Sequence, residues 1–113
     1  MDRYETGPRM SEMTVHHSVA YLSGQVAEDT SADIVGQTEQ VLHEIDRLLG
    51  LAATDKSKIL RAEIYLADIG DFQAMNEVWE KWVAPMHTPA RATIQAALAN
   101  PEWKIEILVT AAV

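Results

Sequence analysis

Between Asp33 and Gly50 the chain carries one unbroken stripe: Ile34, Thr38, Val41, Leu42, Ile45, Leu48 and Leu49 recur at steps of three and four residues. Glu39, Glu44, Asp46 and Arg47 lie mostly off that line. The period is that of an α-helix with one buried face, and such a helix has to be covered by a second layer. Thr30 followed by Asp33 reads as a capping-box-like start, and Gly50 as the stop. A second stripe, Phe72, Met75, Val78, Trp79 and Trp82, follows the break Asp68-Ile69-Gly70-Asp71 and is closed by Pro85. Its aromatics read as core or subunit-contact residues rather than as a stacking platform for bases.

Around these helices the period falls to two. Met10 to Val15 alternates loosely and Val19 to Leu22 is a short apolar run, with His16-His17-Ser18 as a tight turn between them. The spacing predicts a hairpin ending at Ser23-Gly24-Gln25. Ile59 to Ala67 reads as a strand, with Ile64 and Leu66 alternating against Glu63 and Tyr65. Ala90 to Leu98 reads as another, with Ala90, Ala92, Ile94, Ala96 and Leu98 on one face and Arg91, Thr93, Gln95 and Ala97 on the other. Asn100-Pro101 marks a turn before a last strand from Trp103 to Val113. The order is β-β-α-β-α-β-β over one domain, residues 1–113: an α+β fold with two helices on one face of a mixed sheet. The other face is expected to carry many small apolar side chains and to be buried between subunits.

A net charge of −8, from nine basic and seventeen acidic residues, argues against nucleic acid as a main partner, because phosphate binding needs a basic surface. No apolar run is long enough to span a membrane, and Met1 to Glu5 lacks the regions of a signal peptide. The absence of cysteine excludes disulfides, a thiol nucleophile and thiolate metal sites. Together these features fit a cytoplasmic protein. Four histidines, His16, His17, His43 and His87, have no partner at ligand spacing, so no metal is expected. Five scattered glycines make no phosphate-cradling loop, and Ser11, Ser23 and Thr93 lie in no nucleophile motif, so no cofactor is expected either.

What remains is a cation and a carboxylate. Arg91 and Glu106 sit fifteen residues apart inside strand-like runs where charge is costly to desolvate. They read either as a structural ion pair or solvated edge residues, or as two sides of a site for one small anion. In a simple hairpin about Asn100-Pro101 they would be offset too far for a direct bridge, which suits a ligand between them. Arg91 would hold a carboxylate through two parallel hydrogen bonds, and Glu106 would position and deprotonate a water. Gly24, at a strand end, reads as a bulge or as a place where another group approaches the backbone.

Ser23-Gly24-Gln25, Gln37 to Leu42, Ile64 to Asp68, Phe72 to Glu77, Pro89-Ala90-Arg91 and Lys104 to Ile107 occur in that order. Through these segments the chain resembles the Rid (RidA/YjgF) family of reactive-intermediate deaminases. Met75-Asn76 with Trp79 and Trp82, and the stretch 95–101, are similar to its YoaB-like branch. The resemblance implies a chorismate-mutase-like fold and a homotrimer with sites between subunits. It also implies cofactor-free hydrolysis of 2-imino acids, the tautomers of 2-aminoacrylate-type enamines, to 2-oxo acids and ammonia. Under it Arg91 binds the substrate carboxylate and Glu106 activates water; Gly24 lines the cleft through its carbonyl, Thr93 contacts ligand through its backbone, and Asn76 stands near the site. One departure stands out. A tyrosine usual after Gly-Pro is missing, since Gly7-Pro8 is followed by Arg9-Met10-Ser11, which leaves the substrate open; Arg9 reads as a second cation or as a solvated terminal residue. A trimeric binding module for small carboxylates is the alternative to an enzyme. Ribonuclease activity is disfavoured by the charge and by the lack of a catalytic histidine pair.

Overall fold

The computed structural model describes residues 1–113. Its strands are β1 (Asp2–Thr6), β2 (Ser11–His16), β3 (Val19–Leu22), β4 (Ile59–Leu66), β5 (Ala90–Gln95) and β6 (Ile105–Ala112), and its helices α1 (Ile34–Leu51) and α2 (Phe72–Trp82). They form one six-stranded sheet in the order β1-β2-β3-β6-β4-β5. All pairings are antiparallel except that of β4 with β5, which the α2 crossover makes parallel. The mixed sheet and the two helices on one face are those expected from the alternation of periods.

The core explains the layering. Val41, Leu42, Ile45, Leu48 and Leu49 of α1 and Met75 and Trp79 of α2 pack on Met13, Leu22, Ala62, Ile64, Leu66, Ile105, Ile107 and Val109 of the sheet. Along β6 every second residue is buried, so Ile105, Ile107, Val109 and Ala111 face the helices and Glu106, Leu108, Thr110 and Ala112 face away. That second, open face is not the run of small apolar residues expected. Ala90, Ala92, Ile94 and Leu108 share it with Tyr21, Arg61, Glu63, Tyr65 and Glu106.

Four local expectations are corrected. Asp33, not Thr30, caps α1: its side chain accepts from Gly36 N at 2.9 Å, while the Thr30 hydroxyl donates to Glu102 at 2.8 Å. The helix runs past Gly50, and Ala53 takes the left-handed position after it, with φ 56°. β1 pairs with β2, a strand that its charged, weakly alternating sequence does not announce. Finally, β5 and β6 form no hairpin. The chain leaves β5 at Gln95, turns at Asn100, and returns on the far side of β4. The β2–β3 turn at His17-Ser18 is as expected, with both residues at positive φ as a two-residue hairpin requires.

Gln37, fully buried on α1, ties the start of β6 to the helix. Its amide nitrogen donates to the carbonyls of Thr30, Ala32 and Glu102, and its oxygen accepts from Lys104 N at 2.9 Å. Truncation would take the side-chain partner from four part-buried backbone groups and leave a cavity where the fully buried amide stood. Gln37→Ala is expected to lower unfolding stability by about 3 kcal/mol, read as a fall in the urea midpoint at unchanged slope.

Candidate functional site

Register decides where the two charged candidates stand. Arg91 pairs with Ala62, and Ala62 with Val109, so Arg91 is on the helix face of the sheet. Glu106 pairs with Tyr65, and Tyr65 with Ile94, so Glu106 is on the open face. β4 lies between their strands. Three rows along and two strands across put their Cα atoms about 14 Å apart, at about 3.3 Å per residue and 4.8 Å per strand. Within one chain they neither form an ion pair nor face a common ligand. The hairpin geometry that would bring them together is overturned, because a parallel strand is inserted and the parities differ.

Each nonetheless heads its own cluster. The Arg91 guanidinium stands over the Trp79 ring, 5.3 Å from its centroid. The chain's ion pairs are Arg47 with Glu5 and Glu44, and Arg61 with Glu63, so Arg91 has no carboxylate partner. Partial burial lowers its pKa from the ordinary value and the charge of Glu80 opposes this, but a guanidinium remains charged at any working pH. Asn76 lies one turn before Trp79 on α2 and is half-buried. Thr93 shares Arg91's face, and its hydroxyl is the buried side-chain polar atom that finds no hydrogen-bond partner. With the Thr93 side chain turned to the helices, what it offers outward is backbone on the free edge of β5.

On the open face Glu106 lies against Gly24. A Cβ built on Gly24 would overlap Glu106 Oε2 and stand 2.8 Å from its Cδ. The glycine is there for space, since its φ is negative. Just beyond it Gln25 bridges to Ile107, exchanging backbone hydrogen bonds of 2.9 and 3.1 Å, so Gly24 occupies a bulge pressed on β6. Both readings of Gly24 therefore hold. Tyr65, Glu106 and Leu108 line a cleft of about 360 Å³ with Ala96, Ala97, Leu98 and Ala99. The Tyr65 hydroxyl donates to Glu63 Oε2 at 3.1 Å, and that bond raises its pKa, with the charges of Glu63 and Glu106 and desolvation acting in the same direction. Tyr65 and Glu63 were not singled out in the sequence as site residues, because alternate polar residues on a half-exposed strand carry no signal of their own.

Arg9 and all four histidines are exposed or partly so; His16 and His17 stack on each other at the hairpin turn, and no three metal-ligating side chains cluster. The chain thus presents an arginine without a carboxylate partner at the sheet edge and a carboxylate in a cleft on the opposite face. That is the class of a small α+β domain with two helices on one face of a mixed six-stranded sheet and its two charged candidates on opposite faces. The chain belongs to the YjgF/Rid family, in its YoaB-like branch: the family model described as Endoribonuclease L-PSP matches residues 3–113. It is 50% identical over 111 residues to a RutC family protein of Haemophilus ducreyi, covering 98% of this chain and 95% of that one. It is 43% identical over 111 residues to the RutC family protein YoaB of Escherichia coli, covering 98% and 96%. The crystal structure of a YjgF family member from Neisseria meningitidis superposes with a TM-score of 0.96 at 45% identity, covering 98% of this chain and 92% of that one. At greater distance, a 2-iminobutanoate/2-iminopropanoate deaminase of Capra hircus is 31% identical over 107 residues, covering 89% and 77%.

Proposed function

We propose that the chain is a cofactor-independent 2-imino acid deaminase, acting as a homotrimer with each site between two copies. The observation that supports it is the pair of half-sites: an unpaired Arg91 and a cleft carboxylate, Glu106, on opposite faces of one sheet. The exposed edge strand β5, with Ile94 on its open face, and the half-buried Leu108 of β6 offer a surface that suits a second copy. Arg91 of one copy holds the substrate carboxylate. Glu106 of the next takes a proton from water, whose oxygen bonds to the imine carbon as the C=N π electrons move to nitrogen. The nitrogen, once protonated, leaves as ammonia while the new hydroxyl gives up its proton and becomes the ketone. Asn76, Thr93 and Gly24 are assigned to the walls of the site. The deaminase name of the goat relative supports the same chemistry, and the −8 charge speaks against RNA as substrate. A cytoplasmic role in clearing enamines and imines released by pyridoxal-phosphate-dependent lyases fits this reading.

The test generates 2-imino acids in situ with an amino-acid oxidase in the presence of semicarbazide. Wild-type chain is expected to suppress semicarbazone formation, and Glu106→Gln to suppress none of it. Equal semicarbazone with and without the wild-type chain, for every imine tried, would sink the enzyme reading and leave a carboxylate-binding module. Gly24→Ala is a second handle. Its methyl group forces the Glu106 carboxylate aside, so turnover is expected to fall about 10²-fold, the usual cost of a misplacement near 1 Å, with little change in thermal midpoint.

A further inference from the structure

The open face of β4 carries a row of polar side chains, Arg61, Glu63 and Tyr65, that take no part in the proposed reaction. Arg61 Nε lies 3.3 Å from Glu63 Oε1, and Tyr65 donates its hydroxyl proton to Glu63 Oε2 at 3.1 Å. Positions 61, 63 and 65 share one face because the side-chain period of a strand is two. Tyr65 is also the direct cross-strand partner of Glu106, and the two line the same cleft. Opposed residues of an antiparallel pair have Cβ atoms about 5 Å apart. From that common root the side chains part: Glu106 leans toward Gly24 beyond β6, and Tyr65 leans along β4 toward Glu63. Both still belong to the lining of that one cleft.

A phenol has one proton to give and lone pairs with which to receive. Here the proton is committed to a carboxylate that Arg61 holds in turn, so the hydroxyl has only acceptor lone pairs left to offer. The Glu106 carboxylate is acceptor-only as well. A water between two such walls must spend both its hydrogens on them, and its own lone pair is then the one feature left facing the substrate.

We infer that Tyr65 is a positioning residue for the hydrolytic water: one hydrogen goes to Glu106, the other to Tyr65 Oη, and the water's lone pair is aimed at the imine carbon. Glu63 acts through Tyr65 by fixing the direction of its hydroxyl. Glu106 takes the proton, the C–O bond forms as the C=N π electrons move to nitrogen, and Tyr65 exchanges no proton. This rests on the deaminase reading of the site and adds the group that orients the nucleophile.

The test measures kcat and KM for one 2-imino acid in wild type, Tyr65→Phe, Glu63→Gln and the double variant, with circular dichroism as a folding control. Tyr65→Phe keeps the ring and is expected to lower kcat about tenfold with KM within about twofold, since orientation of water is felt in the transition state and not in substrate binding. Glu63→Gln keeps an acceptor oxygen but loses the charge that Arg61 holds, so it is expected to lower kcat less than Tyr65→Phe does and to add nothing in the double variant, because its effect passes through the hydroxyl already removed. Wild-type kcat in Tyr65→Phe, or losses that multiply in the double variant, would overturn the inference while leaving the deaminase reading intact. A wild type inactive toward every imine would remove both. Should either single variant fail to fold, the other still decides by its kcat and KM.

Discussion

Arg91→Ala is expected to lower kcat/KM for a 2-imino acid by about 10²–10³-fold while the chain stays folded. A bidentate guanidinium–carboxylate contact contributes roughly 1.5–3 kcal/mol per charge-assisted bond, and loss of the charge leaves the substrate anion without its counterion. The structural cost is small by comparison. Arg91 has no ion-pair partner to strand, and its contact with Trp79 at a largely exposed site stabilises by only about 0.5–1 kcal/mol. Arg91→Lys separates charge from geometry. It keeps the cation and loses the planar fork, so it is expected to lie between wild type and Arg91→Ala. Binding of a 2-oxo acid, followed by calorimetry, should rank the three chains in the same order. Equal kcat/KM in Arg91→Ala and wild type would remove Arg91 from the site.

The sequence made some of this legible and withheld the part that matters most. α1 and α2 were readable because a 3.6-residue stripe is a local signal: Val41, Leu42, Ile45, Leu48 and Leu49 mark a buried face before any partner is known. The strands at 11–16 and 59–66 were readable for the same reason at period two, and that at 19–22 as a short apolar run after a tight turn. β1 was not, because Asp2, Arg3 and Glu5 give it no apolar face and its order comes from pairing with β2. Strand order is set by contacts distant in sequence. The turn at Asn100-Pro101 looks like a hairpin turn, yet the parallel pairing of β5 with β4 takes the edge and sends β6 to the middle of the sheet. Arg91 and Glu106 were therefore visible as unusual charges, but not as residues on opposite faces, since their parity depends on a register that no local pattern specifies. Tyr65 and Glu63 were hidden differently. Their significance is the hydrogen bond between them and the position of Glu106 across the ladder, both tertiary facts.

The opposite-face geometry makes a sharper prediction than any single variant. If Arg91 of one copy and Glu106 of the next share a site, then Arg91→Ala and Glu106→Gln chains are each inactive, but their mixture is not. Unfolding and refolding an equimolar mixture distributes the two chains at random around a closed ring with head-to-tail contacts. A site is intact when its arginine comes from the Glu106→Gln chain and its glutamate from the Arg91→Ala chain. One half times one half gives about a quarter of wild-type sites, whatever the number of copies in the ring. Activity is expected to rise from near zero to about that fraction, and to remain near zero when the two variants are mixed without unfolding and subunit exchange is slow. A site built within one chain has no such recovery, since every chain in the mixture lacks one of its two groups. The double variant refolded with wild type adds a control on the same footing. There an intact site needs both contributors to be wild type, so activity is again expected at about a quarter, against about a half for a site confined to one chain. Register is what motivates the mixture: Arg91 on the Ala62 and Val109 row and Glu106 on the Tyr65 row present opposite faces of one sheet, so a site using both draws them from different copies.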